Sequence, residues 1–156
     1  MPTADAPGLT ARTIIDANLY MVLATADSTG RPWSSPVYFA HDDYAEFLWV
    51  SAPNAVHSRN IAARPQVSIV IFDSHAPIGT GQGVYISATT EQVGRDNLAR
   101  GIETFSRRSI EHGGAVWTVM DVQAESGLRL YRAAAESYSI LAKDGQPDHR
   151  IAAHLA

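Results

Sequence analysis

The fold is decided by residues 20–73, YMVLATADSTGRPWSSPVYFAHDDYAEFLWVSAPNAVHSRNIAARPQVSIVIFD. Apolar and β-branched runs alternate here with polar clusters that are typical of turns, first at 27–30 and then at 41–44. Proline cannot donate to a β-ladder, so Pro36 marks either an edge strand or a place where strand pairing stops. We expect strands over 20–25, 33–39, 47–50 and 66–73, and a helix over 54–64 that is capped by Asn54.

The rest of the chain extends this pattern. A short helix is predicted from Thr10, and a longer amphipathic one over 95–111. The segment SHAPIGTGQG at 74–83 is a loop, and one or two helical turns follow Thr118. Further strands are predicted over 84–93, 128–132 and 137–141, and the last two form a closing hairpin.

Many short strands with tight turns and few crossover helices indicate an antiparallel barrel rather than βαβ units. A barrel also removes exposed strand edges. The alternating pattern predicts a buried set comprising Leu23, Val37, Leu48, Val67, Ile69, Ile71 and Ile86. A chain of 156 residues fits one domain. We place it at 10–143, after a mobile lead at 1–9 and before a tail at 144–156 that packs poorly.

Composition excludes several classes of function. A net charge of −4 gives no general attraction to nucleic acid or to an anionic membrane. The absence of cysteine excludes disulfides, thiolate metal sites and thiol nucleophiles. The N-terminus lacks the pattern of a secretory signal, and no apolar run approaches the ~20 residues of a membrane span. We therefore expect a cytoplasmic protein without a nucleic-acid or membrane partner.

Three motifs carry a family resemblance: LATADSTGRP in the first hairpin, AVHSRNI in the helix and AARPQVS before the next strand. Their order and spacing resemble the flavin-binding split-barrel superfamily of pyridoxamine 5'-phosphate oxidase. The resemblance implies a mainly β fold with flanking helices, namely a six-stranded antiparallel split β-barrel. It also implies a homodimer that binds flavin mononucleotide (FMN) at the subunit interface and carries out redox chemistry on a small molecule.

The resemblance further assigns site residues. The helix that takes the FMN phosphate supplies His57, at the family's lysine position, together with Ser58 and Asn60, while Ala55 and Val56 replace two phosphate ligands. A histidine is a weaker cation than lysine at neutral pH. The cofactor-binding set implied by the resemblance comprises Ser35, Pro36, Val37, Val50, Ser51, His57, Ser58, Asn60 and Gln82, with Tyr131 and Arg132 as secondary candidates.

Each assignment has a structural alternative. Arg59 and Asn60 would equally solvate a surface helix, and the strand around Ser35 would equally be a plain barrel strand. The glycines of GTGQG precede a strand rather than a helix, which excludes a nucleotide-binding loop. No spacing of histidine, aspartate or serine indicates a metal site or a catalytic triad, so the catalytic residues stay unassigned.

Three functions remain open from the sequence. The first is an FMN-dependent oxidoreductase of unknown substrate. It would not be a true pyridoxamine 5'-phosphate oxidase, because LYRAAAESYSIL lacks the arginine and histidine pattern that binds that substrate's phosphate. The second is a deazaflavin-dependent reductase, since a weakened phosphate site suits a longer cofactor. The third is a non-enzymatic module that binds flavin or haem.

Overall fold

The computed structural model describes residues 3–155. They form three α-helices, eight β-strands and one 3-10 helix at Val119–Val122. In chain order, the α-helices and strands are α1 Ala6–Ala17, β1 Tyr20–Ala26, β2 Pro32–Tyr38, β3 Ala40–Asp42, β4 Glu46–Ser51, α2 Val56–Ala63, β5 Gln66–Phe72, β6 Gly83–Gln92, α3 Arg95–Glu111, β7 Arg129–Leu141 and β8 Arg150–Ala152.

The strands form one antiparallel sheet in the order β2-β1-β5-β6-β7-β4-β3, and β8 pairs with the far end of β7. Only Phe39 separates β2 from β3, the two ends of this order, and its N–H donates to the Leu19 carbonyl. The sheet therefore curls back towards itself. The predicted split barrel is confirmed, with seven strands in the continuous path instead of the predicted six.

The interior of the curled sheet is the main hydrophobic core. Large side chains such as Trp49, Phe39 and Met21 are fully buried there, and α1 packs against the same cluster through Ala11 and Ile15. Strict alternation along β1 and β5 produces this face, since every second side chain of a strand points inward. All seven residues of the predicted buried set are buried.

A second, smaller core lies on the outer face of the sheet under α3. The helix buries Ile102 and Phe105 against Leu48 and Leu130. Leu48 therefore belongs to this outer layer, whereas its neighbours Phe47 and Trp49 face the barrel interior. This layer covers β4 and β7 on the side opposite to the interior.

Two of the three N-caps that the sequence suggests, Thr10 and Asn54, are wrong, whereas the third, Thr118, is confirmed at the start of the 3-10 helix. Helix α1 begins four residues before Thr10, and the cap is Asp5, whose Oδ1 accepts the Gly8 N–H over 2.7 Å. Helix α2 begins at Val56 and has Ala55 at its N-cap, where no side chain accepts a hydrogen bond. Asn54 lies in the turn before that position and so cannot cap the helix.

The predicted closing hairpin is also wrong. Residues 129–141 form the single long strand β7, which pairs with both β4 and β6. Between 132 and 137 the chain has no glycine, proline or asparagine to reverse its direction. Instead Ala135 pairs with Ala88 and Ser137 with Ser87, so Glu136 is bulged out and the strand bends. The short strand β3 was not predicted, because His41 and Asp42 lie in the polar cluster that was expected to form a turn.

The expectation that the C-terminal tail packs poorly holds for residues 144–152, which are exposed, but it is wrong for Ala153 and Leu155. Strand β8 extends the sheet, and beyond it Ala153 and Leu155 are 4% and 3% exposed within the main core. Asp5 holds the same segment in place, since its carboxylate accepts the His154 N–H and contacts the His154 imidazole. The strand pairing, the Asp5 contacts and the two buried side chains together anchor the end of the tail.

Candidate functional site

One end of the barrel is occupied by α2, which contacts β1, β2 and β6. Two flanks of the helix contact different parts of the barrel. One flank carries His57, Asn60 and Arg64 at helical spacing; these residues contact β4, β1 and the turn after β1, respectively. Ser58, Ile61 and Ala62 form the other flank and line a cavity towards β6 and β7.

The side chain of His57 contacts the end of β4. Its Nε2 lies 2.6 Å from the Oγ of Ser51, the last residue of β4, and the two share a hydrogen bond. Burial lowers the pKa of the His57 imidazole below its ordinary value of 6.5. The ring is therefore neutral at pH 7 before any ligand binds. The predicted cofactor residues Ser51 and His57 are thus adjacent in the fold.

Asn60 has a mainly structural contact. It is 6% exposed, and its Nδ2 donates to the Thr25 Oγ1 over 3.0 Å. Thr25 is itself buried, and its hydroxyl also donates to the Trp33 carbonyl of β2. The sequence reasoning missed Thr25, although it is the threonine of the LATADSTGRP motif. Its signal was a polar residue at an inward position of an otherwise apolar strand.

The first turn of α2 has backbone N–H groups that no capping side chain accepts, because Ala55 stands at the N-cap. Such groups carry the positive end of the helix dipole and bind phosphate well. They belong to Val56, His57 and Ser58 and follow the strand that ends at Ser51. This donor set, two side chains and an uncapped helix start, fits a phosphate group.

The predicted ring-binding strand β2 is the first strand in the sheet order and pairs only with β1 among the described residues. Pro36 is exposed on it, which agrees with the edge position expected of a proline. The Ser35 Oγ accepts the indole N–H of Trp33 over 3.0 Å, and Val37 is buried in the core. The unpaired edge of β2 leaves backbone groups available to a ligand.

Two other predicted site residues have different surroundings. The side chain of Val50 packs with the outer core under α3, so it is not part of the contact between Ser51 and His57. The amide of Gln82 donates to the Leu141 carbonyl and accepts the N–H groups of both Leu141 and Gly83. The Gln82 side chain therefore closes the β6–β7 ladder where the 74–83 loop ends and β6 begins.

The secondary candidates lie on β7. Tyr131 is 5% exposed, and its ring stacks on Trp49 with centroids 5.7 Å apart and an interplanar angle of 15°. Arg132 bridges Glu46 and Glu91 on the outer face. Tyr131 borders the cavity beside α2, whereas Arg132 serves a structural ion-pair network.

Two kinds of site have no counterpart between residues 3 and 155. No group of three or more histidine, cysteine, aspartate or glutamate side chains is arranged to hold a metal ion. Within the same range, no helix combines the length and the apolar character that crossing a membrane requires.

The sequence from residue 10 to residue 140 matches the profile of the family described as pyridoxamine 5'-phosphate oxidase. The chain belongs to this family. The match spans most of the chain and includes β4, α2 and β5. No curated protein sequence matches the chain significantly.

Solved structures of several other proteins share this fold. HutZ, the haem storage protein from Vibrio cholerae, is 22% identical with a TM-score of 0.65, over 82% of this chain and 89% of its own. A FAD-binding protein from Mesorhizobium loti is 21% identical with a TM-score of 0.65, over 85% and 91%. An F420 reductase is 17% identical with a TM-score of 0.61, over 82% and 94%. At identities of 17–22%, these similarities show a shared fold only.

Proposed function

We propose that the protein is an FMN-binding flavoprotein that transfers electrons to or from a small molecule. The observation that carries the proposal is the contact between Ser51 and His57, 2.6 Å apart beside the uncapped start of α2. Family membership supports it, as does the FAD-binding protein that shares the fold. When bound, the flavin would supply the redox chemistry, and the chain would supply position and electrostatics.

The phosphate would be held by His57, Ser51 and the first N–H groups of α2. The unliganded imidazole of His57 is neutral because burial lowers its pKa. A phosphate dianion next to it would favour the protonated ring, so binding should take up a proton. Asn60 would act from behind by fixing α2 to β1 through Thr25. Ser35, Pro36, Val37 and Val50 would line the flavin through their backbone groups.

A homodimer is the proposed assembly, with the cofactor at the subunit interface. Cross-strand pairing places Tyr20, Val22, Pro36 and Val70 on the outer face of the sheet, opposite to the core. Tyr20 is 60% exposed, and Phe72 beside it is 46% exposed. An apolar face of this kind is typical of an interaction site, and a two-fold dimer is the commonest way to cover one.

The direct test is a titration of FMN into the purified protein, followed by flavin fluorescence. A charge-assisted contact contributes about 1.5–3 kcal/mol, so His57→Ala should weaken binding roughly ten- to a hundredfold. His57→Lys should bind at least as well as the wild type. The matched control is His75→Ala, since His75 lies fully exposed in the loop after β5. Equal affinity of the wild type and His57→Ala would place the phosphate elsewhere.

The assembly is tested separately by light scattering at micromolar concentration. Tyr20→Lys and Phe72→Lys introduce charges into the outer face and should shift the dimer to a monomer. Ile78→Lys is the control, because Ile78 is fully exposed in a loop. If the wild type is already a monomer, the shared cofactor site is wrong.

Two alternative functions rest on specific observations. The missing phosphate ligands at Ala55 and Val56 favour a deazaflavin, and an F420 reductase shares the fold. The chain shares its fold with a haem storage protein, which supports a non-enzymatic haem-binding module as the second alternative. The visible spectrum of the purified protein separates them: a sharp Soret band indicates haem, while a flavin absorbs in the blue. True pyridoxamine 5'-phosphate oxidase activity is not proposed.

A further inference from the structure

A cavity lies on the opposite flank of α2 from His57. It has a volume of about 230 Å³, is partly open to solvent, and lies between this helix and the adjoining ends of β6 and β7. Its walls include Ser58, Ile61 and Ala62 from the helix and Glu91, Gln92 and Tyr131 from the strands. None of these side chains takes part in the contact between Ser51 and His57.

The wall contains an unsatisfied polar group. Ser58 is only 3% exposed, and its Oγ is buried without a hydrogen-bond partner among residues 3–155. An unpaired buried hydroxyl costs about as much as a lost hydrogen bond. A serine hydroxyl moves between three staggered positions, so it can turn towards a ligand in the cavity.

The other walls define the shape and polarity of the ligand. The Tyr131 ring is held in place by its stack on Trp49, and it forms an apolar wall together with Ile61 and Ala62. The one acid at the rim, Glu91, is already paired with Arg132. The cavity therefore has no free charge to offer, which favours a neutral ligand.

We propose that this cavity binds a neutral single-ring aromatic compound with a carbonyl group, such as an aromatic amide, aldehyde or ketone. A cavity of 150 Å³ can hold benzene, so 230 Å³ accommodates one ring and a small substituent. The ring packs on Tyr131, and the carbonyl oxygen accepts a hydrogen bond from Ser58. The proposal does not depend on the identity of the cofactor on the other flank.

The experiment measures binding of benzamide to the full chain by ligand-observed NMR. A ligand of this size should bind with a dissociation constant on the order of 1 mM. Ala62→Phe fills the cavity and should abolish binding. Ala63→Phe is the matched control, because Ala63 is exposed on the same helix and does not line the cavity.

Two further measurements locate the contact. Ser58→Ala should weaken benzamide binding about five- to tenfold, while leaving the affinity for toluene unchanged because toluene has no acceptor. In the wild type, ring protons of benzamide should show nuclear Overhauser effects to the Ile61 methyl groups, a result that needs no variant to fold. Absence of benzamide binding to the wild type, equal binding by the two phenylalanine variants, or absence of the Ile61 effects would overturn the proposal.

Discussion

The Nδ2 of Asn60 donates a hydrogen bond of 3.0 Å to the Thr25 Oγ1, and both side chains are buried. This contact joins α2 to the inward face of β1. It lies one helical turn from His57, on the same flank of the helix. We therefore expect the geometry of the candidate phosphate site to depend on this buried polar pair.

Removing Asn60 should destabilise the protein. Asn60→Ala leaves the Thr25 hydroxyl short of a partner, and we expect a loss of about 1–3 kcal/mol in the free energy of unfolding. Arg59→Ala, on the exposed side of α2, should change it by less than about 0.5 kcal/mol. Thr25→Val combined with Asn60→Ala should cost less than the sum of the single changes in urea unfolding. Strict additivity would show that the two side chains do not interact.

Stability should fall in mildly acidic solution because of His41. Its Nδ1 accepts the Tyr44 N–H over 3.1 Å, its Nε2 lies 3.1 Å from Asp16 Oδ1, and burial lowers its pKa below 6.5. The unfolded chain then binds more protons than the native state as pH falls through 6.5. The free energy of unfolding should therefore be level above about pH 7 and decrease below it.

The check is chemical denaturation between about pH 5 and pH 8. His41→Phe should show a shallower decline than the wild type. Part of the slope should persist, because the pKa of His57 is lowered in the same direction. His75→Ala is the surface control, since that side chain is 96% exposed. An identical slope in the wild type and His41→Phe would contradict the assignment.

FMN affinity should depend on pH in the opposite sense to stability. The His57 imidazole has a lowered pKa in the free protein, and a bound phosphate should raise it. Affinity is then highest below the free-protein pKa and falls as pH rises towards the pKa of the complex. Fluorescence titrations from about pH 6 to pH 8.5 measure this, and His57→Lys should show little change over that range. Riboflavin, which lacks the phosphate, should show no such fall.

Leu155 should be essential for stability although it lies at the end of the chain. Its side chain is 3% exposed in the main core beside α1. Leu155→Ala should cost about 2–5 kcal/mol in thermal or chemical unfolding. Ile151→Ala is the control, because Ile151 is 38% exposed and should lose less than about 1 kcal/mol. Equal losses in the two variants would mean that the tail is not docked in solution.

Gln82 should act on the sheet. Its amide pairs with Leu141 and Gly83, so Gln82→Ala should speed hydrogen exchange of those two backbone amides. Amides in the middle of the β5–β6 ladder, such as that of Ile86, should keep their protection. If Gln82→Ala changed the flavin affinity without speeding exchange of the Leu141 and Gly83 amides, Gln82 would instead be assigned to the cofactor site.

Much of the barrel followed from local sequence. Alternation along β1 and β5 predicted which residues are buried, since a one-residue shift would turn every side chain to the wrong face. Turn residues at 27–30 marked the first hairpin, and Asp27 does accept N–H groups from Thr29 and Arg31 there. These features depend on neighbours within a few positions, so the sequence states them directly.

Tertiary structure decided what depends on distant partners. No local pattern shows that Thr25 meets Asn60, that Gln82 closes a ladder with Leu141, or that Leu155 completes a core beside Ile15. The β7 bulge at Glu136 is likewise visible only in the register between β7 and its distant partner β6. The two flanks of α2 also lie next to different strands, with His57 beside Ser51 of β4 and Ser58 at the cavity towards β6 and β7. Sequence determined the elements and their faces, because those depend on short-range sterics and solvation. The site was determined by packing, because it is assembled from contacts between residues far apart in the chain.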